Sequence, residues 1–197
     1  MPDFWLYFSL GLKHVLNFNS YDHILFLLAL SVPYEFKEWK RLLVLISFFT
    51  LGHTISLLLG IYNLISIQDI YVDFLILLTI LSTAVFNLIT VGKSSKKETI
   101  NFIALTTLGF GIIHGLGFSS YFNILLPGKS TDKLLPLFDF ALGIEAAQIS
   151  SVIGALLLSF VVQTLFKFSR RDWILTLSAF IIGIIIPILL QNEIWNN

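Results

Sequence analysis

The chain has 197 residues, no net formal charge and no cysteine, and 56% of its residues are hydrophobic while only 12% are charged. With a mean hydropathy of +0.88, this apolar content exceeds what the core of a water-soluble domain of this size holds, so the composition predicts an integral membrane protein. The zero net charge argues against nucleic acid as a partner, and the lack of cysteine excludes disulfides, thiolate nucleophiles and thiolate metal ligands.

Seven apolar segments follow in chain order. The first, residues 4–16, has half the length of a span, and the other six lie near 22–34, 41–61, 70–91, 100–126, 136–166 and 173–190. We therefore predict an all-α integral membrane protein, a single polytopic domain over residues 1–197, with six transmembrane helices, the first one short, and an N-terminal half-length or interfacial helix. The N-terminus has neither the basic region nor the cleavage site of a signal peptide.

The charged loops predict the orientation. Alternate loops carry nine cations: Lys37, Lys40, Arg41, Lys93, Lys96, Lys97, Lys167, Arg170 and Arg171. The positive-inside rule places these loops in the cytoplasm, so both termini are expected on the non-cytoplasmic side of a bacterial inner membrane. This arrangement permits an inverted repeat, but the two halves show no convincing sequence match.

The short first span carries two ionisable residues into the membrane. From Asp22 to Tyr34 the chain spans about 18–20 Å as a helix, against a hydrocarbon core of about 30 Å. Because the stretch "PYEFKEWKR" marks the cytoplasmic interface, this helix must begin about 10 Å below the outer surface. Asp22 and His23 are therefore expected inside the membrane, partly covered by residues 4–21.

Three further spans place ionisable side chains at the same depth. His53 in "FTLGHTISL" lies about eight residues from the outer end of its helix, His114 in "FGIIHGLGF" is similarly placed, and Glu145 in "FALGIEAAQ" lies about nine residues down. An ionisable residue inside a span costs about 2.5–3.5 kcal/mol or more, so a functional role is the default expectation. Gly111 and Gly115 give the helix of His114 a small-residue face, which predicts close approach of a neighbouring helix.

Histidine nitrogens with one or two carboxylates and no sulfur suit zinc, nickel, cobalt or iron better than calcium or copper(I). The chain has no single-helix metal motif, so a site requires several helices to converge. We predict that a divalent transition metal ion (Ni, Co or Zn) is bound by residues from the set His14, Asp22, His23, His53, His114 and Glu145.

Each candidate also has a structural interpretation. Asp22 follows "NSY" and would serve as a helix N-cap. His53 or Glu145 could be a neutral, hydrogen-bonded group that joins two helices. His14 lies on a short amphipathic segment, where an interfacial histidine is often simply in contact with water.

Four stretches, "HVLNFNSYDHILFLLAL", "FTLGHTISL", "FGIIHGLGF" and "FALGIEAAQ", resemble in order the HupE/UreJ family of small membrane proteins, in particular the branch seen in Bacteroidetes. The resemblance implies six or so membrane helices and nickel or cobalt permease activity. It also implies functional roles for His14, Asp22, His23, His53, His114 and Glu145. In the family's first motif five residues separate the histidine from Asp-His, whereas seven separate His14 from Asp22 here, so we expect His14→Ala to matter least.

Three functions remain open at this point. The first is a divalent-metal permease with its site in the outer half of the bilayer. The second is an intramembrane zinc-dependent metallohydrolase, in which Asp22 or Glu145 is the catalytic base acting on metal-bound water. The third is an accessory subunit whose polar groups pair helices. For either of the first two, we expect a cavity open to the non-cytoplasmic face and an apolar plug beneath it, lined by residues such as Leu42, Leu43, Leu88, Ile103, Leu157 and Leu158.

Overall fold

The computed structural model describes residues 4–17, 21–65, 67–92, 100–125 and 130–196. These residues form seven α-helices, and no β-strand occurs among them. The helices are α1 (Phe4–Leu16), α2 (Asp22–Ser31), α3 (Trp39–Ile61), α4 (Asp69–Thr90), α5 (Ile100–Leu125), α6 (Leu134–Leu165) and α7 (Arg170–Leu190). The predicted all-α class is confirmed.

Among the described residues, five helical stretches are long and apolar enough to cross a membrane: Phe36–Ile61, which adds a short 3-10 helix to α3, Asp69–Thr90, Phe102–Ser119, Leu134–Leu165 and Arg170–Leu190. Helix α2 has 10 residues and α1 has 13. At 1.5 Å per residue α2 is about 15 Å long, which is half of a hydrocarbon core. A multi-pass membrane protein is therefore confirmed, while the count of six crossings stays a prediction. The cations Lys93, Lys96, Lys97 and Lys129 lie outside the described residues.

Helix α2 lies at the centre of the bundle. Seven of its ten residues are buried, and it packs against α4 and α6. The side-chain amide of Asn87 in α4 donates a hydrogen bond of 2.8 Å to the carbonyl oxygen of Ala29. Around α2, the closest pairs are α3 with α5, α1 with α6, and α4 with α7. The first turn of α2 therefore begins inside the bundle, among the helices that carry the other histidines.

Small residues allow α3 and α5 to approach closely. A methyl group at Gly52 would overlap the carbonyl oxygen of Leu108, and one at Gly111 would overlap that of Phe49. Further along the same pair, a methyl group at Gly115 would overlap the hydroxyl of Ser56. Contacts that advance together along both chains mean that α3 and α5 run parallel. The close approach predicted from Gly111 and Gly115 is confirmed.

The pair α1 and α6 repeats this contact. A methyl group at Gly11 would overlap the carbonyl oxygen of Phe140, and one at Gly143 would overlap that of Phe8. Three of the four helices share the tetrapeptide Phe-x-Leu-Gly at these contacts: "FSLG" at 8–11, "FTLG" at 49–52 and "FALG" at 140–143. The same local packing thus positions α1, which carries His14, and α3, which carries His53.

Ion pairs fix the end of the bundle at which α3 and α7 begin and α6 ends, called the basic end here. The Ser169 hydroxyl caps α7 by accepting from the Asp172 amide at 3.1 Å, so Arg170 stands in the first turn. From there Arg170 donates to Glu35 at 2.9 Å and to the carbonyl oxygen of Pro33 at 2.6 Å. A hydrogen bond from Lys37 and the nearby Arg170 guanidinium lower the pKa of Glu35. These contacts hold the chain that leaves α2 against the start of α7.

The predicted apolar plug differs from the observed interior. Leu42 is fully buried, as expected, but Leu157 and Leu158 are 48% and 51% exposed and face outward from the bundle. Next to them on the same helix, Val152 and Leu156 are the apolar side chains that are buried. A span is apolar on every face, so hydropathy alone did not distinguish the inward face of α6 from the face directed to lipid.

Candidate metal centre

All four histidines of the chain meet inside the bundle. Each comes from a different helix: His14 from α1, His23 from α2, His53 from α3 and His114 from α5. The ring centroid of His23 lies 4.7 Å from that of His14, 5.5 Å from that of His53 and 5.3 Å from that of His114. The ring centroids of His14 and His53 are 5.4 Å apart. These four residues are called the histidine cluster below.

Three members of the cluster are close enough to share one ion. His14, His23 and His53 each offer a ring nitrogen, and these three atoms lie within 4.8 Å of one another. His23 and His53 are buried, and His14 is half-buried. Neutral imidazole nitrogens at this separation can close onto a transition metal ion, for which metal–nitrogen distances are about 2.0–2.1 Å in zinc sites.

Most ring nitrogens of the cluster have no hydrogen-bond partner. Five buried nitrogens are in this state: Nε2 of His14, Nε2 of His23, both ring nitrogens of His53 and Nε2 of His114. A buried polar atom without a partner costs about 1–3 kcal/mol, so protein side chains that serve only to join helices are normally paired. The cluster is therefore better explained as a ligand-binding group than as a packing device.

Asp22 lies beside the cluster and does not cap α2. The N-cap of α2 is Tyr21, which makes no side-chain cap hydrogen bond, so the N-cap interpretation of Asp22 is wrong. Its carboxylate oxygen is 3.3 Å from Nδ1 of His23. Carboxylates beside metal-binding histidines commonly fix the orientation of the ring and increase its basicity. Asp22 is placed to orient His23 and leave Nε2 of that ring for a ligand.

His114 is held in one tautomer by its own helix. Its Nδ1 lies 2.9 Å from the carbonyl oxygen of Phe110. Because a carbonyl only accepts hydrogen bonds, Nδ1 carries the proton and Nε2 carries a free lone pair. This Nε2 atom is buried without a partner beside His23, so His114 can add a fourth nitrogen to the three-histidine group.

Aromatic rings enclose the cluster. On one side, the Phe118 ring lies 4.1 Å from that of His14 and stacks on Phe140 with a centroid distance of 5.3 Å. On the other side, Phe26 and Phe49 stack at 4.7 Å, and each lies within 5.1 Å of His114. Apolar rings exclude water and therefore strengthen electrostatic contacts between a bound cation and its ligands.

Glu145 lies apart from the histidines. It accepts hydrogen bonds from the hydroxyl of Ser47, at 2.7 Å, and from that of Thr50. The Thr50 hydroxyl also lies 2.9 Å from Oε1 of Gln148, one turn further along α6. Ser47, Thr50, Glu145 and Gln148 are called the oxygen group below. Thr50 stands three residues before His53 on α3, so the two groups are neighbours.

Sequence reasoning missed Ser47 and Thr50 as members of a polar group. Thr50 stands in the stretch "FTLGHTISL", one turn before His53, and Ser47 precedes it by three further residues. This spacing places the three side chains on one face of α3 and could have indicated the group. The expected outer cavity involves the link between α1 and α2, whose residues 18–20 lie outside the described residues, so it stays a prediction.

The fold and the cluster together define a polytopic membrane protein with a histidine-rich polar centre. The family model described as HupE / UreJ protein matches residues 1–192, almost the whole chain, and the protein therefore belongs to the HupE/UreJ family. Membership supports a membrane protein related to metal transport, as the resemblance of the four motifs implied. No curated protein and no solved structure matches the chain.

Proposed function

We propose that this protein is a permease for a divalent transition metal ion of the nickel or cobalt type, and that the histidine cluster is its binding site. His14, His23 and His53 supply the three nearest nitrogens, and His114 supplies a fourth. Asp22 orients His23 and adds a negative charge beside the site. The observation that carries this proposal is the set of five buried imidazole nitrogens that have no hydrogen-bond partner.

The donor chemistry favours this class of metal. Imidazole suits nickel, cobalt and zinc, whereas calcium and magnesium prefer oxygen ligands and copper(I) prefers sulfur. The chain offers no cysteine. Nitrogen donors alone do not separate nickel from cobalt or zinc, so membership of the HupE/UreJ family supplies the preference for the first two.

The neighbouring oxygen group supports transport over catalysis. A permeating ion must bind strongly enough to enter and weakly enough to leave, and this is achieved with successive sites. Glu145 and Thr50 provide oxygen ligands about one turn from His53. A cation leaving the histidines would therefore meet a carboxylate before it meets apolar side chains. Glu145 acts in this proposal as the next ligand and not as a member of the histidine site.

The test is elemental analysis of the purified protein together with uptake by sealed proteoliposomes. After loosely bound ions are washed away, we expect about one transition metal ion per chain. Vesicles that contain the protein should accumulate labelled nickel or cobalt faster than empty vesicles. Bound metal without uptake would contradict transport, and hydrolytic activity that requires the metal would then favour the metallohydrolase. The accessory-subunit interpretation would gain from a protein that binds no metal.

A further inference from the structure

An open groove lies at the basic end, beside the end of α6. It has a volume of about 270 Å³ and is lined by Glu35, Phe36, Lys37, Leu156, Ser159, Phe160, Gln163 and Thr164. Gln163 donates a hydrogen bond of 2.6 Å to the Ser159 hydroxyl, so the wall formed by α6 is polar at its base. Glu35 and Lys37, which form an ion pair at 2.6 Å, also line the groove. The groove therefore combines charged, polar and apolar side chains.

One face of α6 connects this groove with the oxygen group. Side chains three or four residues apart share a helix face, and this face carries Glu145, Gln148, Val152, Leu156, Ser159 and Gln163. The four central positions, from Gln148 to Ser159, are all buried, with exposures of 0%, 3%, 3% and 5% in chain order. The face is polar at both ends, and only Val152 and Leu156 interrupt it.

We propose that the groove is the cytoplasmic exit of the permeation route, and that Val152 and Leu156 form the hydrophobic gate between it and the oxygen group. This inference rests on the proposed transport function. Gln148 and Ser159 are eleven residues apart, about 16 Å along the helix, and two apolar side chains fill that distance. Hydrophobic constrictions of this kind close ion pathways by excluding water.

Two observations favour an ion exit over a groove that is merely filled by lipid. The amide Nε2 of Gln148 is buried at the upper side of the gate without a hydrogen-bond partner, which indicates a polar ligand or water on that side when the route is hydrated. On the other side of the gate, Ser159, Gln163 and Glu35, whose side chains carry oxygen atoms, line the groove. A lipid acyl chain has neither a hydrogen-bond donor nor a positive charge with which to contact these oxygen atoms.

The first test narrows the gate. Val152→Phe should reduce the rate of nickel uptake into proteoliposomes at least about tenfold, because it fills a constriction that must widen. The matched control is Ile153→Phe, which adds the same ring at the adjacent position, where Ile153 is 47% exposed. Metal content of the purified Val152→Phe protein should equal that of wild type, which shows that it is folded and that the histidine cluster is intact.

The second test works without disturbing the gate. Since the natural chain has no cysteine, Ser159→Cys introduces a single thiol into the groove. A charged, membrane-impermeant thiol reagent applied to the cytoplasmic side should then block transport. The control is Leu165→Cys, at a position near the end of α6 that is 72% exposed and does not line the groove. Its modification should leave transport unchanged.

The outcomes separate this inference from the proposed function. Wild-type protein that transports nickel normally, together with full activity of Val152→Phe and of modified Ser159→Cys, would overturn the exit route and leave the permease intact. Such a result would indicate that the groove holds a lipid. Absence of transport by wild-type protein would instead contradict the permease itself, and the gate with it.

Discussion

The histidine cluster and the oxygen group lie side by side but differ in how their polar atoms are satisfied. Five buried nitrogens of the cluster have no hydrogen-bond partner, whereas among the side-chain atoms of the oxygen group this is true only of Nε2 of Gln148. Glu145 is already held by the hydroxyls of Ser47 and Thr50. A group with unpaired atoms gains most from a ligand, and a group that is already paired gains little. The cluster is therefore suited to capture a cation, and the oxygen group to receive it briefly.

The largest predicted effect comes from replacing one member of each group. His23→Ala and His53→Ala should each weaken metal binding by at least about a hundredfold, or about 2.7 kcal/mol, because each removes one of three nearest ligands. Glu145→Gln should leave the bound metal unchanged and abolish uptake. Metal titration of the purified proteins and nickel uptake by proteoliposomes measure the two effects. Loss of bound metal in Glu145→Gln would instead place Glu145 within the same site as the histidines.

The sequence predicted which of these residues lie at one level along the bundle better than the directions in which their side chains point. Depth follows from the fixed rise per residue and the position of the basic loops, and this argument brought His23, His53 and His114 together correctly. Rotation about the helix axis depends on which faces pack, and an all-apolar span gives no hydrophobic stripe from which to read it. For this reason Glu145 was expected beside the histidines, whereas it faces Ser47 and Thr50.

His14 illustrates a second limit of prediction from the sequence alone. Its distance in sequence from Asp22 differs from the family motif, and that spacing suggested a minor role. In the structure the contact of Gly11 with α6 positions the helix that carries His14. The repeated Phe-x-Leu-Gly tetrapeptides carried this information, but a four-residue pattern shows its meaning only once the helices that it joins are known.

The next prediction concerns the glycine contact that places His53. In Gly115→Ala the added methyl group would overlap the Ser56 hydroxyl and lie against the backbone of His53. We expect metal affinity to fall about 10–100-fold, the range seen when the groups that position a ligand are lost, and the melting temperature to fall as well. The oxygen group includes Ser47 and Thr50, which precede His53 on α3, so its hydrogen bonds should be affected less.

Gly183→Ala is the matched control, because the position that its methyl group would take has no heavy atom within 4 Å other than those of its own helix backbone and chain neighbours. Replacing an unconstrained helical glycine by alanine typically stabilises a helix by up to about 1 kcal/mol. Thermal unfolding followed by fluorescence, with metal titration of the same samples, tests both variants. Equal metal affinity in Gly115→Ala and wild type would show that the close contact of α3 and α5 does not position the histidines.

The histidines of the cluster are expected to contribute unequally to metal binding, and this difference is smaller than the effects above. His14 belongs to the three residues whose nitrogens lie within 4.8 Å of one another, whereas His114 stands outside this group. We therefore expect His14→Ala to weaken metal binding about tenfold or more and His114→Ala to weaken it by less. Isothermal titration with nickel and cobalt would measure both. The reverse order would restore the expectation from motif spacing and point to a site centred on His23 and His114.

The smallest predicted effect lies in the oxygen group. Thr50→Val keeps the size and branching of the side chain but removes the hydroxyl that contacts both Glu145 and Gln148. Because Glu145 keeps its hydrogen bond from Ser47, and one hydrogen bond is worth about 1 kcal/mol, we expect nickel uptake to slow about threefold to fivefold. Metal affinity should not change. Thr54→Val is the control, since its hydroxyl bonds only to the carbonyl oxygen of Thr50 within the same helix. A drop in metal affinity in Thr50→Val alone would mean that the two groups act as one site, and that the division drawn from their hydrogen bonding is wrong.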